Sequence, residues 1–301
     1  MEWQNTPESS NIEDRRGQGT SAGMGGGGPS FGTGGMGIGV IVVVLIVSYF
    51  TGINPAVLLG GAQVLTGNGA QQQQTQQAAN APSPTRRIAD DRTTSLVRHV
   101  LGETEAVWSE ILPAQKGVRY TPTTLVLYTG GTRSGCGGAQ AAMGPFYCPA
   151  DKKIYLDTAF FNEMQRNYGG GGDFAYAYVI AHEVGHHVQD LLGILDRADA
   201  QKAQVSRTQA NAISVRIELQ ADCLAGVWAA NANKKWNLID QNDVARAVAT
   251  AQAIGDDTLQ KAARGYAVPD SFTHGSSALR EKWLETGLQS GEVDSCNTGA
   301  Q

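Results

Sequence analysis

The spacing of apolar residues divides the chain into two unlike parts. From about residue 87 onward, apolar positions recur at intervals of three and four, the period of helices that bury one face. This spacing predicts helices over 94–112, 173–192, 208–232, 240–254 and 276–288. Short apolar runs predict strands over 123–128, 146–148 and 153–156. We therefore expect an α+β domain over 87–301, mostly helical with a small β-sheet.

The first 86 residues have a different pattern. Residues 17–37 are rich in glycine and residues 60–86 in glutamine and alanine, and both stretches are too polar to bury a core. Between them, residues 36–59 carry no charge and are long enough to cross a bilayer as one helix. The pattern predicts a glycine-rich tail over 1–35, a transmembrane anchor over 36–59 and a disordered linker over 60–86.

A cleaved signal peptide is the alternative to the anchor, with Gly60–Ala62 as a processing site. The stretch before the apolar run is long and contains Glu8 and Glu13, unlike the short basic start of a signal peptide. An uncleaved anchor is therefore favoured. Arg15 and Arg16 are the only basic residues before it, and the positive-inside rule places that side in the cytoplasm. We expect a single-pass protein whose domain faces outward.

The strongest chemical signal is His-Glu-x-x-His at residues 182–186. His182 and His186 are four residues apart, so both imidazoles lie on one face of a helix and can bind one Zn²⁺. Glu183 points elsewhere around the helix and can act as a general base on a water in an open coordination position. The alternative is a pair of ordinary histidines on a packed helix.

A catalytic zinc needs a third protein ligand. A histidine six residues after His186 would complete one known pattern, but that position is Leu192. Glu218 and Asp222 are four residues apart among apolar neighbours, which indicates that both carboxylates point inward. Glu218 then completes the ligand set, and Asp222 can accept the free N–H of a zinc-bound imidazole. The alternative is a solvated helix face.

These two motifs together resemble the neutral zinc metallopeptidase family of bacterial membrane-anchored proteins. Further stretches that match this family are Ser10–Gly17, Gly144–Pro149 with Asp151, Tyr155–Asp157, and Ser271–Ser277 with Arg280. The Glu-x-x-Ala-Asp element also resembles, more distantly, the Ste24-like gluzincin peptidases. The resemblance covers nearly the whole chain and is weakest in the glycine-rich and glutamine-rich stretches. It implies a gluzincin-like zinc peptidase domain held at the bacterial inner (cell) membrane, and the outward orientation predicted above places that domain in the periplasm or at the exterior.

Carried over by position, the resemblance implies His182, His186 and Glu218 as zinc ligands and Glu183 as the general base. It also places the loop that contains His274 near the metal. A loop histidine there could donate a hydrogen bond to the oxyanion that forms during attack on a carbonyl, so His274 is a candidate catalytic residue. The alternative is a helix-capping loop with an exposed imidazole.

Charge and cysteine content indicate which partners and which redox compartment to expect. A net charge of −5 offers no basic patch, so nucleic acid is not indicated as a partner. The four cysteines all follow the predicted anchor, and no two have the Cys-x-x-Cys spacing. Two disulfides in an oxidising compartment are the natural interpretation. Of the three pairings, Cys136 with Cys148 and Cys223 with Cys296 are favoured, and four reduced thiols are the alternative.

The sequence thus predicts a membrane-anchored, zinc-dependent metalloprotease that acts on peptide or protein substrates. One alternative is a non-catalytic, metal-stabilised binding module anchored to the membrane. Glu183 argues against it, because a structural zinc needs no base beside it. Another alternative is a zinc hydrolase of non-peptide amides, and the residues do not exclude it.

Overall fold

The computed structural model describes residues 1–17, 91–140, 144–161, 164 and 172–300. Its strands are β1 (Ile12–Asp14), β2 (Thr124–Tyr128), β3 (Gly131–Ser134), β4 (Gly137–Gln140), β5 (Phe146–Cys148) and β6 (Lys153–Asp157). Its α-helices are α1 (Arg92–Lys116), α2 (Asp173–Leu191), α3 (Ile194–Lys202), α4 (Arg207–Trp236), α5 (Gln241–Ala253), α6 (Asp256–Arg264) and α7 (Ser277–Ser290). Short 3-10 helices lie at Pro269–Ser271 and Val293–Cys296. The prediction of a mostly helical α+β fold with a small sheet is confirmed.

The larger sheet has four strands in the order β1-β2-β6-β5. The first three strands are parallel, and β5 is antiparallel to β6. Four of the five residues in β2 and in β6 are buried, as expected for strands covered on both faces. β3 and β4 form a separate antiparallel pair that the sequence pattern did not predict.

Residues 1–17 belong to the same compact unit as the residues from 91 onward. β1 pairs with β2, and Trp3 is buried in the main core. Nε1 of Trp3 donates to Asp173 at the start of α2 over 2.8 Å. The prediction of a separate tail over 1–35 is therefore wrong for residues 1–17, because they complete the sheet and the core.

The predicted anchor over 36–59 and the predicted linker over 60–86 lie outside the described residues. Within the part of the chain that the structure describes, no helix is both long enough and apolar enough to cross a membrane. The anchor therefore stays a prediction, and a single crossing there would be incompatible with the pairing of β1 and β2 in one sheet.

Glycines allow the central helices to approach one another closely. A Cβ at Gly185 on α2 would lie 3.0 Å from the carbonyl oxygen of Ala221 on α4. A Cβ at Gly226 on α4 would lie 2.2 Å from the carbonyl oxygen of Leu284 on α7. Larger side chains at these glycines would separate the helices, so both positions fix the distances between α2, α4 and α7.

Two disulfides tie the outer parts of this unit to its centre. Cys136, between β3 and β4, is bonded to Cys148 at the end of β5. Cys223 on α4 is bonded to Cys296 near the carboxyl terminus. Both predicted pairings are confirmed.

Candidate metal centre

Helix α2 presents the two histidines of the His-Glu-x-x-His motif side by side. The ring centroids of His182 and His186 are 4.8 Å apart and the ring planes are perpendicular. Most of α2 from Phe174 to Gln189 is buried, so the motif lies within a largely buried helix. The predicted helical placement of the motif is confirmed.

Helix α4 brings a carboxylate to these rings. Oε2 of Glu218 lies 3.2 Å from Nε2 of His182, and its Oε1 lies 3.6 Å from Nε2 of His186. One ligand atom from each of the three residues lies within 4.8 Å of the other two. Two imidazole nitrogens and one carboxylate form a donor set that suits a catalytic zinc with one position left for water. The three predicted ligands are thus together, and their binding of zinc stays a prediction.

Asp222, one helical turn after Glu218, contacts the second ring nitrogen of His182. Its Oδ1 lies 2.8 Å from Nδ1 of His182 and accepts from the hydroxyl of Tyr178 over 2.6 Å. The guanidinium of Arg280 donates to both oxygens, Nε to Oδ2 and Nη2 to Oδ1, each over 2.9 Å. All of these groups are buried. The predicted contact between Asp222 and a candidate ligand is present, whereas the contacts of Tyr178 and Arg280 with Asp222 were not predicted from the sequence.

His186 is oriented by an amide instead of a carboxylate. Its Nδ1 lies 2.8 Å from Oε1 of Gln189. The amide nitrogen of Gln189 donates to the carbonyl oxygen of Ile217 and to Oε1 of Gln220. The amide oxygen therefore faces the ring, and Nδ1 carries the proton. Nε2 of His186 is left as the nitrogen that can accept a metal.

The neighbouring His187 belongs to a different network. Its Nδ1 lies 3.0 Å from the hydroxyl of Tyr147, and its Nε2 lies 2.6 Å from the carbonyl oxygen of Thr121. The Tyr147 hydroxyl donates to Asp190 over 2.9 Å. His187 therefore links α2 to strand β5 and is not a ligand candidate.

Electrostatics favour a positive charge at this centre. Burial opposes ionisation of Glu218, but His186 and His182 outweigh it and hold its pKa well below the usual range. Burial also opposes ionisation of Asp222, yet Arg280 and His182 outweigh it and hold the pKa of Asp222 below the usual range. Burial lowers the pKa of His182, but Asp222 and Glu218 raise it to about 10. Ionised carboxylates around the imidazoles stabilise a proton or a metal cation there.

Glu183 is the remaining acid of the motif. Its side chain is buried, and burial raises its pKa above the usual range, against the opposing charges of His182 and His186. It lines a cavity of about 460 Å³ together with the three candidate ligands. The same cavity is lined by Phe146 and Tyr147 of β5 and by apolar residues of several helices. A buried carboxylate, the three candidate ligands and an edge strand therefore share one cleft.

His274 also lines this cavity, from the loop before α7. Its side chain is 55% exposed and its ring nitrogen Nδ1 lies 3.1 Å from the hydroxyl of Thr273. The predicted proximity of this loop to the metal centre is therefore seen. The catalytic role of His274 stays a prediction.

Comparison with known proteins agrees with this geometry. The family described as putative neutral zinc metallopeptidase matches residues 1–299. The uncharacterized protein YpfJ of Escherichia coli K12 is 42% identical over 298 residues, which cover 99% of this chain and 98% of YpfJ. The uncharacterized protein Rv2575 of Mycobacterium tuberculosis H37Rv is 43% identical over 204 residues, 64% of this chain and 66% of that protein. No solved structure matches the chain. The chain therefore belongs to the putative neutral zinc metallopeptidase family.

Proposed function

We propose that the protein is a zinc-dependent metalloprotease that hydrolyses bonds in peptide or protein substrates. One observation carries this proposal: the buried carboxylate of Glu183 lines the same cavity as His182, His186 and Glu218. Three protein donors leave a coordination position for water, and a carboxylate nearby supplies the base that hydrolysis needs.

The residues divide the chemistry between them. When bound to the three ligands, Zn²⁺ would lower the pKa of its water and polarise the scissile carbonyl. Glu183 accepts the proton of the attacking water and later delivers it to the leaving amine. Its raised pKa suits this exchange, because a carboxylate with a higher pKa is a stronger base toward the proton of the attacking water. His274 donates a hydrogen bond to the developing oxyanion.

Strand β5 supports a peptide as the substrate. Among the described strands it pairs with β6 alone, and Phe146 and Tyr147 line the cavity. An extended peptide can add to such an edge through backbone hydrogen bonds. Tyr147 is held by His187 and Asp190, so the edge strand is fixed to the helix of the metal ligands. A small non-peptide amide would make no use of this edge.

For its setting, we propose that the described unit lies in the periplasm or outside the cell. The two disulfides support this, because such bonds persist in oxidising compartments. Contact with the bacterial cell membrane through residues 36–59 remains part of the proposal. A cytoplasmic amino terminus followed by a single membrane crossing is not part of the proposal. That topology would place β1 and β2 on opposite sides of the membrane, whereas the two strands pair in one sheet. Residues 1–17 and the catalytic residues therefore share one side.

The test uses the purified full chain and an unfolded, alkylated protein as the substrate. With zinc present, we expect peptide fragments whose yield grows with time. A zinc chelator should stop the reaction, and added zinc should restore it. Intact substrate under all conditions, or cleavage that the chelator leaves unchanged, contradicts the proposal. Hydrolysis of non-peptide amides alone would favour the other enzymatic alternative.

A further inference from the structure

One buried carboxylate holds the loop that contains His274. Oδ2 of Asp256, in the first turn of α6, accepts the backbone N–H groups of Thr273, His274 and Gly275 over 2.8, 2.6 and 2.9 Å. The backbone N–H of Asp256 donates in turn to the carbonyl oxygen of Gly275 over 2.9 Å. Asp256 is 8% exposed. Three donors on one oxygen fix the backbone of this loop.

The other oxygen of the same carboxylate faces the imidazole. Oδ1 of Asp256 lies 3.4 Å from Nδ1 of His274, and the Thr273 hydroxyl lies 3.1 Å from that nitrogen. Nε2 of His274 has no hydrogen-bond partner among the residues that the structure describes, and the ring lines the cavity of the metal centre. Asp256 thus engages one ring nitrogen and leaves the other to a ligand in the cavity.

Close packing couples this loop to the helix of Glu218. Gly275 has a φ of +97°, in the left-handed region that favours glycine. A Cβ there would lie 3.1 Å from Cδ2 of Leu219, the residue after Glu218. A Cβ at Gly255, just before α6, would lie 2.4 Å from the backbone nitrogen of Ser277. The loop therefore packs closely against α4, and the start of α6 packs closely against the start of α7.

We infer that Asp256 is a positioning residue of the proposed reaction, which holds the loop and orients His274 so that its Nε2–H donates to the oxyanion. This inference rests on the proposed function. The charged groups that act on His274 agree with it. The Asp256 carboxylate and Glu218 raise the pKa of His274, while partial desolvation of the half-exposed ring and Arg280 lower it, and the net change is upward. With Nδ1–H directed at the Asp256 carboxylate, the cationic imidazole is the form that also carries a proton on Nε2 for the oxyanion.

The test compares Asp256→Asn, His274→Ala and the double variant, with Asp257→Asn as a matched control. Asp257 is the next residue in the same helical turn, but its carboxylate accepts from Ser277 and not from the His274 loop. Asp256→Asn should lower kcat by up to about 100-fold with KM and zinc content little changed. The double variant should be within about twofold of His274→Ala alone, because residues that act as one unit are not additive. Asp257→Asn should behave as the wild type.

Two results would overturn the inference: an unchanged kcat in Asp256→Asn, or losses that multiply in the double variant. If Asp256→Asn does not fold, Asp256→Ser replaces it, because serine keeps an acceptor oxygen without the charge. If the wild type hydrolyses no peptide, the proposed function fails, and an NMR titration of labelled histidines still tests Asp256. The pKa of His274 should fall in Asp256→Asn relative to Asp257→Asn. An unchanged pKa would contradict the positioning role directly.

Discussion

Oδ1 of Asp222 lies 2.8 Å from Nδ1 of His182, and both side chains are buried. The carboxylate accepts the imidazole N–H, so the ring presents Nε2 toward Glu218. Arg280 from α7 neutralises the carboxylate through two hydrogen bonds. Three helices therefore meet in one interaction, which fixes the orientation of a candidate metal ligand.

Asp222→Asn tests this support. The amide accepts less strongly from His182 and leaves the buried Arg280 without a charged partner. We expect zinc affinity to fall about 10- to 100-fold and the free energy of unfolding to fall by about 3 kcal/mol. Zinc titration against a competing chelator measures the first, and urea unfolding the second. Wild-type zinc affinity in a folded variant would exclude Asp222 from the support of the centre.

Glu218→Gln tests the third ligand. Glutamine has nearly the shape of glutamate but no negative charge, and a neutral amide is a poor zinc ligand. The purified variant should keep the helical circular dichroism of the wild type and lose most of its bound zinc. Metal analysis decides the matter, and full zinc content would remove Glu218 from the ligand set.

Much of this centre was predictable because it depends on local periodicity. A spacing of four places His182 with His186, and Glu218 with Asp222, whatever the rest of the fold does. Arg280 is 58 residues away from Asp222 along the chain, and only the packing of α7 against α4 brings them together. Such a pairing leaves no signal in one sequence.

The amino-terminal strand β1 also could not be predicted from the local sequence pattern. Ile12–Asp14 has no alternating pattern long enough to indicate a strand, and its partner β2 begins more than a hundred residues later. The glycine-rich composition of residues 17–37, which follow this strand, predicts a tail instead. The pairing of β1 with β2 depends on tertiary contacts such as those of Trp3, which local pattern does not encode.

Glu103→Gln tests the packing of residues 1–17 through pH. Burial raises the pKa of Glu103 to about 8, although Thr6 donates to it. Between about pH 4.5 and pH 8 the folded state keeps a proton that the unfolded state has lost. Stability therefore falls as pH rises, by up to about 1.4 kcal/mol per pH unit. Urea unfolding at pH 5, 6.5 and 8 should show this extra slope in the wild type and not in the variant. Equal slopes would contradict the buried, neutral carboxyl.

Asn5→Cys and Ala114→Cys test whether β1 and the catalytic unit share one side of the membrane. Both positions are exposed, one before β1 and the other on α1. A membrane-impermeant maleimide should label both single variants in cells whose inner membrane is intact, while a cytoplasmic thiol protein stays unlabelled. Labelling of Ala114→Cys alone would restore the single crossing. Labelling of neither would place the unit in the cytoplasm.

Hydrolysis by Glu183→Gln, compared with the wild type at equal zinc content, tests the central claim most directly. Glu183 is the acid of the His-Glu-x-x-His motif and is not one of the three candidate zinc ligands. Its replacement by glutamine should therefore remove the base and leave the metal centre intact. The account predicts full zinc occupancy and a rate of cleavage of an unfolded protein that is about 100- to 10,000-fold lower. Equal rates of cleavage by the two zinc-loaded proteins would contradict it.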